Sequence, residues 1–313
     1  MAAMVAPAQA PAPATSVETH HEDMIHDVQL DYYGKRLATC SSDRMIKIFD
    51  VSADQSEQKL SANIAAHEGP IWQVAWAHPK FGSILASCSY DRKVCVWKEV
   101  QLQQWTKIYE YAEHHSSVNA ISFAPHELGL KLACASADGT ISILTWTGQS
   151  DNAWDEKVVR DAHQIGCNAV CWAPLSAGAQ GALVSGGCDG VVRVWRLNDK
   201  GDVVADEQFQ SVYKEAAHSG WVRDAAWAPS VGLPTQAIAT CGEDKMVMIW
   251  TLAPGAASWT CKKLPPLEAV VWRVSWSLSG NVLAVSAGDG KVTLWKEGLD
   301  AEWRLLESIN DGA

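Results

Sequence analysis

The sequence predicts an all-β protein folded as a six-bladed β-propeller. Tryptophan occurs 16 times, against 4 phenylalanines and 6 tyrosines, which indicates that it fills the same place in a repeated unit. A turn aspartate followed six residues later by a large apolar residue occurs six times. The residues between these two markers alternate in the manner of a β-strand. The six pairs are Asp43 to Phe49, Asp91 to Trp97, Asp138 to Leu144, Asp189 to Trp195, Asp244 to Trp250 and Asp289 to Trp295.

The first element of each unit follows a histidine marker. A histidine stands nine residues before a large apolar residue in units one to five, and apolar residues lie at the fourth and seventh places between them. Unit six has Leu267 in the histidine's place but retains Trp276. This pattern predicts an inner strand at the start of every unit. The five pairs are His21 and Leu30, His67 and Trp76, His114 and Phe123, His163 and Trp172, and His218 and Trp227.

Three further strands complete each unit. A short run of small residues precedes the turn aspartate, a third strand follows it, and a fourth carries its own aromatic residue in most units: Trp105, Trp154, Phe209, Trp259 and Trp303. Four strands per unit are typical of a propeller blade. We expect a single propeller over residues 17–310, preceded by a disordered Ala/Pro-rich tail at residues 1–16. The expected blades are about 21–62, 63–110, 111–159, 160–214, 215–264 and 265–310.

Composition excludes several functions. Lys and Arg total 25 against 36 Asp and Glu, and a formal charge of -11 repels a phosphate backbone, so we expect no direct nucleic-acid partner. No apolar run approaches the ~20 residues of a membrane span, so we expect no direct membrane insertion. Nine cysteines without CxxC pairs predict reduced thiols. No nucleotide-binding glycine motif occurs. Cys167 and Cys171 flank one strand without further ligands nearby, and the cluster of His20, His21 and His26 is better explained as a blade marker with solvated neighbours. Neither a cofactor nor a metal is therefore expected.

One combination of residues in unit two is the kind found in hydrolases. Ser87, His67 and Asp91 have the residue types of a catalytic triad, but the same arrangement recurs in several units. A catalytic site needs one nucleophile beside one oxyanion hole, whereas a network that ties a turn to its strands is needed in every blade. We therefore expect these residues to be structural and the protein not to be an enzyme.

The units resemble the WD repeat, in position more than in letters. Ala-His replaces Gly-His at His67, His163 and His218, and Phe49-Asp50 comes nearest to the Trp-Asp ending. The resemblance implies a hydrogen bond between each histidine and its turn aspartate. The implied structural pairs are His67 and Asp91, His114 and Asp138, His163 and Asp189, and His218 and Asp244. It also implies a row of side chains facing the channel or one face of the ring: His26, Trp72, Asn119, Asn168, Arg223 and Trp272.

Three residues of that row are candidate face contacts. Trp72, Arg223 and Trp272 are of the types that anchor protein interfaces. Packing against neighbouring blades explains them equally well.

The ends of the chain predict an open ring. The Ala/Pro-rich tail is a poor staple, and residues 302–309 supply a fourth strand to blade six from its own repeat. An open ring exposes unpaired surfaces between blades one and six, so we expect a partner chain to complete it with a blade. The residues predicted to line this open edge belong to the two bordering inner strands: Ile25, Val28, Leu30, Val271, Val274 and Trp276.

Longer strings of sequence resemble the Sec-thirteen family. They are residues 21–43, 66–79, 166–174, 221–229 with 231–235, and 271–276, and the similarity extends from about His21 to Trp303. The family's fold is an open six-bladed propeller whose missing blade comes from a larger partner. The resemblance implies three partners: a Sec-thirty-one type protein in the outer cage of the COPII vesicle coat, a helical nucleoporin in the nuclear pore Y-complex, and a coat-like complex that signals amino-acid supply to the TOR kinase.

These observations give two hypotheses for function. The first is a scaffold subunit of the COPII coat in ER-to-Golgi transport and of the nuclear pore. It would be located at the cytoplasmic face of ER exit sites and COPII vesicles, and at the nuclear envelope. The second is an adaptor that binds peptide motifs, such as a substrate receptor of a ubiquitin ligase, through the face lined by Trp72, Arg223 and Trp272.

Overall fold

The structure, a computed structural model, contains six four-stranded antiparallel sheets in its described residues. The structure describes residues 17–52, 58–150, 152–175, 181–213, 217–229 and 235–310. The predicted tail at residues 1–16 lies outside this range. In every sheet the strands are hydrogen-bonded in the order in which they occur along the chain, so each blade is formed by one continuous stretch of sequence.

The first three blades are built as follows. Blade one contains β1 (Ile25–Leu30), β2 (Arg36–Ser41), β3 (Met45–Val51) and β4 (Gln58–Ala65). Blade two contains β5 (Ile71–Trp76), β6 (Ile84–Ser89), β7 (Val94–Gln101) and β8 (Gln104–Tyr111). Blade three contains β9 (Val118–Phe123), β10 (Lys131–Ser136), β11 (Ile141–Trp146) and β12 (Trp154–Val159).

The last three blades repeat this plan. Blade four contains β13 (Cys167–Trp172), β14 (Ala182–Gly187), β15 (Val192–Leu197) and β16 (Val203–Ala205). Blade five contains β17 (Val222–Trp227), β18 (Gln236–Gly242), β19 (Val247–Leu252) and β20 (Thr260–Lys263). Blade six contains β21 (Val271–Trp276), β22 (Val282–Ala287), β23 (Lys291–Glu297) and β24 (Trp303–Asn310). The all-β, six-bladed fold predicted from the sequence is confirmed.

One predicted strand residue lies in a helix instead. Phe209 belongs to α1 (Glu207–Tyr213), because Asp206 accepts hydrogen bonds from the amides of Gln208 and Phe209 and so caps a helical turn. The fourth strand of blade four is correspondingly reduced to β16. Phe209 is fully buried and packs edge-on against Trp259, at a ring-centroid distance of 5.5 Å. The helix therefore fills the space that a longer outer strand would occupy.

A tight turn separates the second and third strands of each blade. The residue after the turn aspartate adopts a positive φ in every blade, for example 73° at Arg92 and 84° at Gly139. A Cβ atom at Gly139 would lie 2.3 Å from the carbonyl oxygen of His163 in the next blade. Glycine is therefore required there by both conformation and space.

The hydrophobic core lies between the blades. The described residues form five buried clusters, and each cluster joins two consecutive blades, from the pair one and two to the pair five and six. Within the described ranges, no such cluster joins blade six to blade one. The ring is thus packed at five junctions. The sixth junction, between blade six and blade one, has no such core in the described residues, and we call it the seam. None of the helices within these ranges is long and apolar enough to cross a membrane.

Candidate functional site

The histidine and aspartate pairs lie at the turn of each blade. In blade two, His67 Nδ1 lies 2.9 Å from Asp91 Oδ2, and His67 Nε2 lies 2.8 Å from Ser87 Oγ. The Trp97 indole N–H donates to the same hydroxyl at 3.0 Å. With the proton on Nδ1, the histidine donates to the carboxylate and accepts from the serine. This relay joins β6, β7 and the turn between them to the loop that precedes the blade.

The same contact recurs in other blades. The Nδ1 to carboxylate distances are 2.7 Å for His21 and Asp43, 3.3 Å for His114 and Asp138, 3.0 Å for His163 and Asp189, and 2.9 Å for His218 and Asp244. Blade one thus adds a fifth histidine and aspartate pair to the four that were predicted. Although burial alone raises the pKa of Asp91, hydrogen bonds from His67 and from the amides of Glu68 and Lys93 lower it to about 2.

The geometry does not present Ser87 as a nucleophile. Its side chain is fully buried, and its hydroxyl is used by both His67 and Trp97. The same relay recurs in blade four with Ser185 and Trp195 and in blade five with Thr240 and Trp250, as a structural network would.

The cysteines and clustered histidines form no cluster of ligands. All nine cysteines are free thiols, and burial raises the pKa of Cys95 and Cys134 to about 12. His21 is held by Asp43 and Thr39, and His26 Nε2 lies 2.6 Å from Ser42 Oγ. Over the residues that the structure describes, no group of three or more potential ligands is arranged to hold a metal ion.

A β-bulge positions one residue at the start of each inner strand. The register between the first and second strands shifts there in all six blades, and the bulged residues are His26, Trp72, Asn119, Asn168, Arg223 and Trp272. A bulge turns a side chain out of the regular alternation of the strand. These six are the residues that the WD resemblance placed in a row facing the channel or one face of the ring.

The three candidate face contacts divide into two environments. The Trp72 indole donates to Ser117 Oγ at 2.8 Å and packs edge-on against His26, so it is largely engaged by neighbouring blades. The Arg223 guanidinium lies 5.0 Å and 4.7 Å from the ring centroids of Trp221 and Trp272, and it pairs with Glu243. Both of these indoles are nearly half exposed. Trp221, which the sequence analysis did not single out, completes this aromatic patch at the border of blades five and six.

The first border of the seam is the outward face of β1. Ile25, Val28 and Leu30 are 42%, 49% and 52% exposed. Val74, which has the same position in β5 as Val28 has in β1, is 1% exposed because it packs against blade one. Blade one therefore presents an apolar inner-strand face that its own chain leaves uncovered in the described residues.

On blade six, the residues predicted to line the open edge lie on the wrong face of the sheet. Val271 and Val274 are buried in the cluster shared with blade five, and the Trp276 indole donates to the carbonyl of Ala226 in that blade. The reason is register, since these positions face the preceding blade in every unit. The opposite face of blade six borders the seam. Its half-buried residues correspond to the fully buried Ala38, Cys40, Ile46 and Ile48 of blade one, and they are Ala284, Ser286, Val292 and Leu294.

The segment before β1 lies against blade one. The Lys47 ammonium, on β3, donates to the carbonyls of Thr19 and His20 at 3.1 Å and 2.5 Å. Lys47 is nearly fully buried and shares a face with Val28, which points toward the seam. Residues 17–24 form no strand with blade six, whose fourth strand is β24. The described part of the N-terminal segment thus packs on one border and does not bridge the two.

A family model and curated relatives match this architecture. The model described as WD domain, G-beta repeat, matches residues 13–50, 58–98, 105–144, 156–196, 209–251 and 262–296. The chain is 47% identical over 300 residues to the protein SEC13 homolog of Drosophila melanogaster, a match that covers 92% of the chain and 81% of that protein. It is 44% identical over 353 residues to the protein transport protein SEC13 of Mycosarcoma maydis, covering 94% of each.

A third relative matches over nearly the whole length of both proteins. The protein transport protein SEC13 of Cryptococcus neoformans is 43% identical over 343 residues, which cover 98% of the chain and 100% of that protein. The matched regions include all six blades and both borders of the seam. The chain therefore belongs to the SEC13 family of WD-repeat protein transport proteins.

Proposed function

We propose that this protein is a scaffold subunit of the COPII outer cage whose seam accepts a β-blade from a Sec-thirty-one type coat protein. The observation that carries this proposal is the difference between the five packed junctions and the seam. An apolar face with an inner strand at its edge is suited to the addition of strands from another chain. Membership of a family of protein transport proteins supports a role in vesicle transport.

The inserted blade would make a large and permanent contact. It would cover Ile25, Val28 and Leu30 on one side and the face of Val292 and Leu294 on the other. A sheet buried on both faces exceeds the roughly 1,600 Å² of a standard protein interface. Such an interface makes the two chains an obligate unit, and the propeller then stiffens the attachment point of its partner. This role requires neither catalysis nor contact with nucleic acid or lipid.

The same seam would serve the other assemblies implied by the family. A helical nucleoporin of the Y-complex, or the coat-like complex of TOR signalling, would bring its own blade to the same two borders. We accordingly propose locations at ER exit sites, on COPII vesicles and at the nuclear envelope. Because one gap holds one blade, these partners would be mutually exclusive on a single copy of the chain.

Co-expression tests the proposal. The chain is produced with the full-length coat protein and with a version that lacks its N-terminal β-forming segment. We expect a stoichiometric, monodisperse complex with the first and none with the second. Equal recovery with both versions, or a monodisperse isolated chain with its own N-terminal strand paired into blade six, would contradict blade donation.

A second candidate function rests on the aromatic patch of Trp221, Arg223 and Trp272. Half-exposed indoles stacked on a guanidinium are suited to binding peptide motifs, as an adaptor requires. Replacing Trp272 by Ala separates the two functions. The scaffold function predicts an unchanged set of large, stoichiometric partners, whereas the adaptor function predicts the loss of many short-motif clients.

A further inference from the structure

Inner strands of consecutive blades are joined by a hydrogen bond of one kind, whose acceptor is the third residue of the strand in blades one, two and five and the fifth residue in blades three and four. At each packed junction, a side chain on one inner strand accepts a backbone N–H from the next. The donors and acceptors are Val74 to Asp27 at 3.2 Å, Ile121 to Gln73 at 2.7 Å, Trp172 to Ser122 at 3.2 Å, Trp227 to Cys171 at 3.4 Å, and Val274 to Asp224 at 3.0 Å. Every junction therefore depends on an acceptor supplied by the earlier blade.

Blade six differs at the third residue of its inner strand, although the fifth residue is Ser275. Arg273 has the position in β21 that Asp27 has in β1 and Asp224 in β17. A guanidinium carries five N–H donors and no acceptor, so Arg273 cannot accept an amide from a following strand. It reaches toward blade one instead. Its Nη2 donates to the carbonyl of His26 at 3.5 Å, and its Nη1 lies 3.7 Å from Asp27 Oδ1.

These contacts leave the guanidinium poorly satisfied. Arg36, by comparison, binds both carboxylate oxygens of Glu99, at 2.6 Å and 3.3 Å. The Arg196 Nε lies 2.6 Å from Asp206. In the described part of the chain, the hydrogen bond and ion pair of Arg273 are both longer than these, and its side chain is partly exposed in the central channel. Arg273 therefore has donors available to a new acceptor.

We propose that Arg273 anchors an acidic side chain on the inner strand of the inserted blade. This inference rests on the blade insertion proposed above and specifies the chemistry of the segment that inserts. In a completed ring, the inserted inner strand follows β21 and precedes β1. A carboxylate at its third position would stand beside Arg273, where Asp27 stands in the isolated chain.

One carboxylate would then serve both sides of the inserted strand. It would bind the Arg273 guanidinium behind it and accept a backbone N–H of β1 ahead of it, as Asp224 accepts that of Val274. The charges of Asp27 and Asp224 already favour the charged guanidinium of Arg273, and this acid would add to them. Arginine favours a carboxylate in such a position because its planar donors match both oxygens.

Salt-dependent binding measurements test the anchor. The full-length Sec-thirty-one type coat protein is titrated with the unmodified chain, with Arg273→Met and with Arg273→Lys. We expect Arg273→Met to weaken binding by about 10- to 100-fold and to reduce its dependence on salt. Arg273→Lys should recover part of the loss. The matched control is Arg160→Met, which removes one positive charge from an exposed position after β12 on blade three. It should bind as the unmodified chain does.

The outcomes separate this inference from the proposed function. If the unmodified chain does not bind, both are wrong. If it binds and Arg273→Met has the same affinity and salt dependence, the anchor alone is wrong. A scan of the partner decides the matter even where Arg273→Met does not fold. Each Asp or Glu of the inserted segment is changed to its amide and titrated with the unmodified chain. We expect a loss of about tenfold or more at one position, and the absence of any such position overturns the anchor.

Discussion

The inner strands β1 and β5 have the same register in their blades, but equivalent faces of the two strands have different surroundings. Val74 on β5 packs against blade one and is 1% exposed, whereas Val28 on β1 points into the seam and is 49% exposed. The next outward residue shows the same contrast. The Trp76 indole donates to the carbonyl of Gln29 in blade one, whereas the equivalent side chain of Leu30 has no hydrogen-bond donor and is about half exposed.

This comparison separates the pattern of a strand from its burial. Both strands alternate in the same way, and both place valine at the fourth position. Only the presence of a preceding blade differs. An apolar strand face exposed in this way is an aggregation hazard unless another chain covers it. The free face of blade one is thus an ordinary repeat without a neighbour, as the proposed binding surface requires.

The largest expected effect comes from placing a charge at each of the two valines. Val74→Asp buries a carboxylate in the junction of blades one and two, and we expect it to lower the free energy of unfolding by about 4 kcal/mol or more. Val28→Asp should change that free energy by only about 0.5 kcal/mol, because the site is exposed. Urea denaturation of the isolated chain measures both.

Val28→Asp, which should have little effect on stability, should have a large effect on partner binding. Val28→Asp should fold normally and lose the coat-protein partner in a pull-down, because the inserted blade would have to bury the new charge. A destabilisation by Val28→Asp as large as that by Val74→Asp would show that its own chain already covers the seam.

The next effect compares turn aspartates in two blades. Asp91→Ala removes the hydrogen bonds that hold His67, Glu68 and Lys93, and it should lower stability by about 2 kcal/mol and the melting temperature by several degrees. Asp289→Ala should have a much smaller effect, because Leu267 stands where a histidine would bond it. Calorimetry of both variants makes the comparison. Equal losses would contradict a structural role for the histidine and aspartate pairs.

Acid should act through the same carboxylates. The folded-state pKa of Asp91 is about 2, below its ordinary value of 3.8, so its contribution to stability is present above pH 4 and is lost as pH falls toward 2. We expect Asp91→Ala to lose less stability than the unmodified chain over that window. The two curves of unfolding free energy against pH should therefore converge in acid, and parallel curves would contradict the assigned hydrogen bonds.

The smallest expected effect concerns thiol labelling. Cys88 is fully buried between blades two and three, whereas Cys188 and Cys261 are partly exposed. The native chain should label faster at Cys188 and Cys261 than at Cys88, whose pKa burial raises well above the ordinary value. Denatured, unreduced protein should label at all nine cysteines. Protection of any pair after denaturation would reveal a disulfide.

Repetition explains which features the sequence predicted well. The markers of each blade and of its inner strand recur with a regular spacing, so an ambiguous residue in one unit is resolved by comparison with the others. The side of blade six that borders the seam was not predicted. Val271 and Leu294 are both apolar, and only the register of the sheet and the direction of the ring decide which of them meets blade five.

Local chemistry explains the remaining differences. Phe209 fits a strand alternation, but Asp206 three residues earlier is a signal for a helix cap. No role was predicted for Arg273, which follows the bulge residue Trp272. A charged residue at the place of Asp27 and Asp224 was a detectable signal, but its meaning depends on which strand follows β21.

Hydrogen exchange of the chain with and without the coat-protein partner tests the central claim most directly. Peptides that cover β1 and β21 to β24 are followed alongside β5, the equivalent of β1 at a packed junction. Blade insertion predicts that binding slows exchange in β1 and along blade six, while β5 exchanges at the same rate in both states. Protection confined to other blades, with β1 unchanged, would show that the partner binds elsewhere and would contradict the account of the seam.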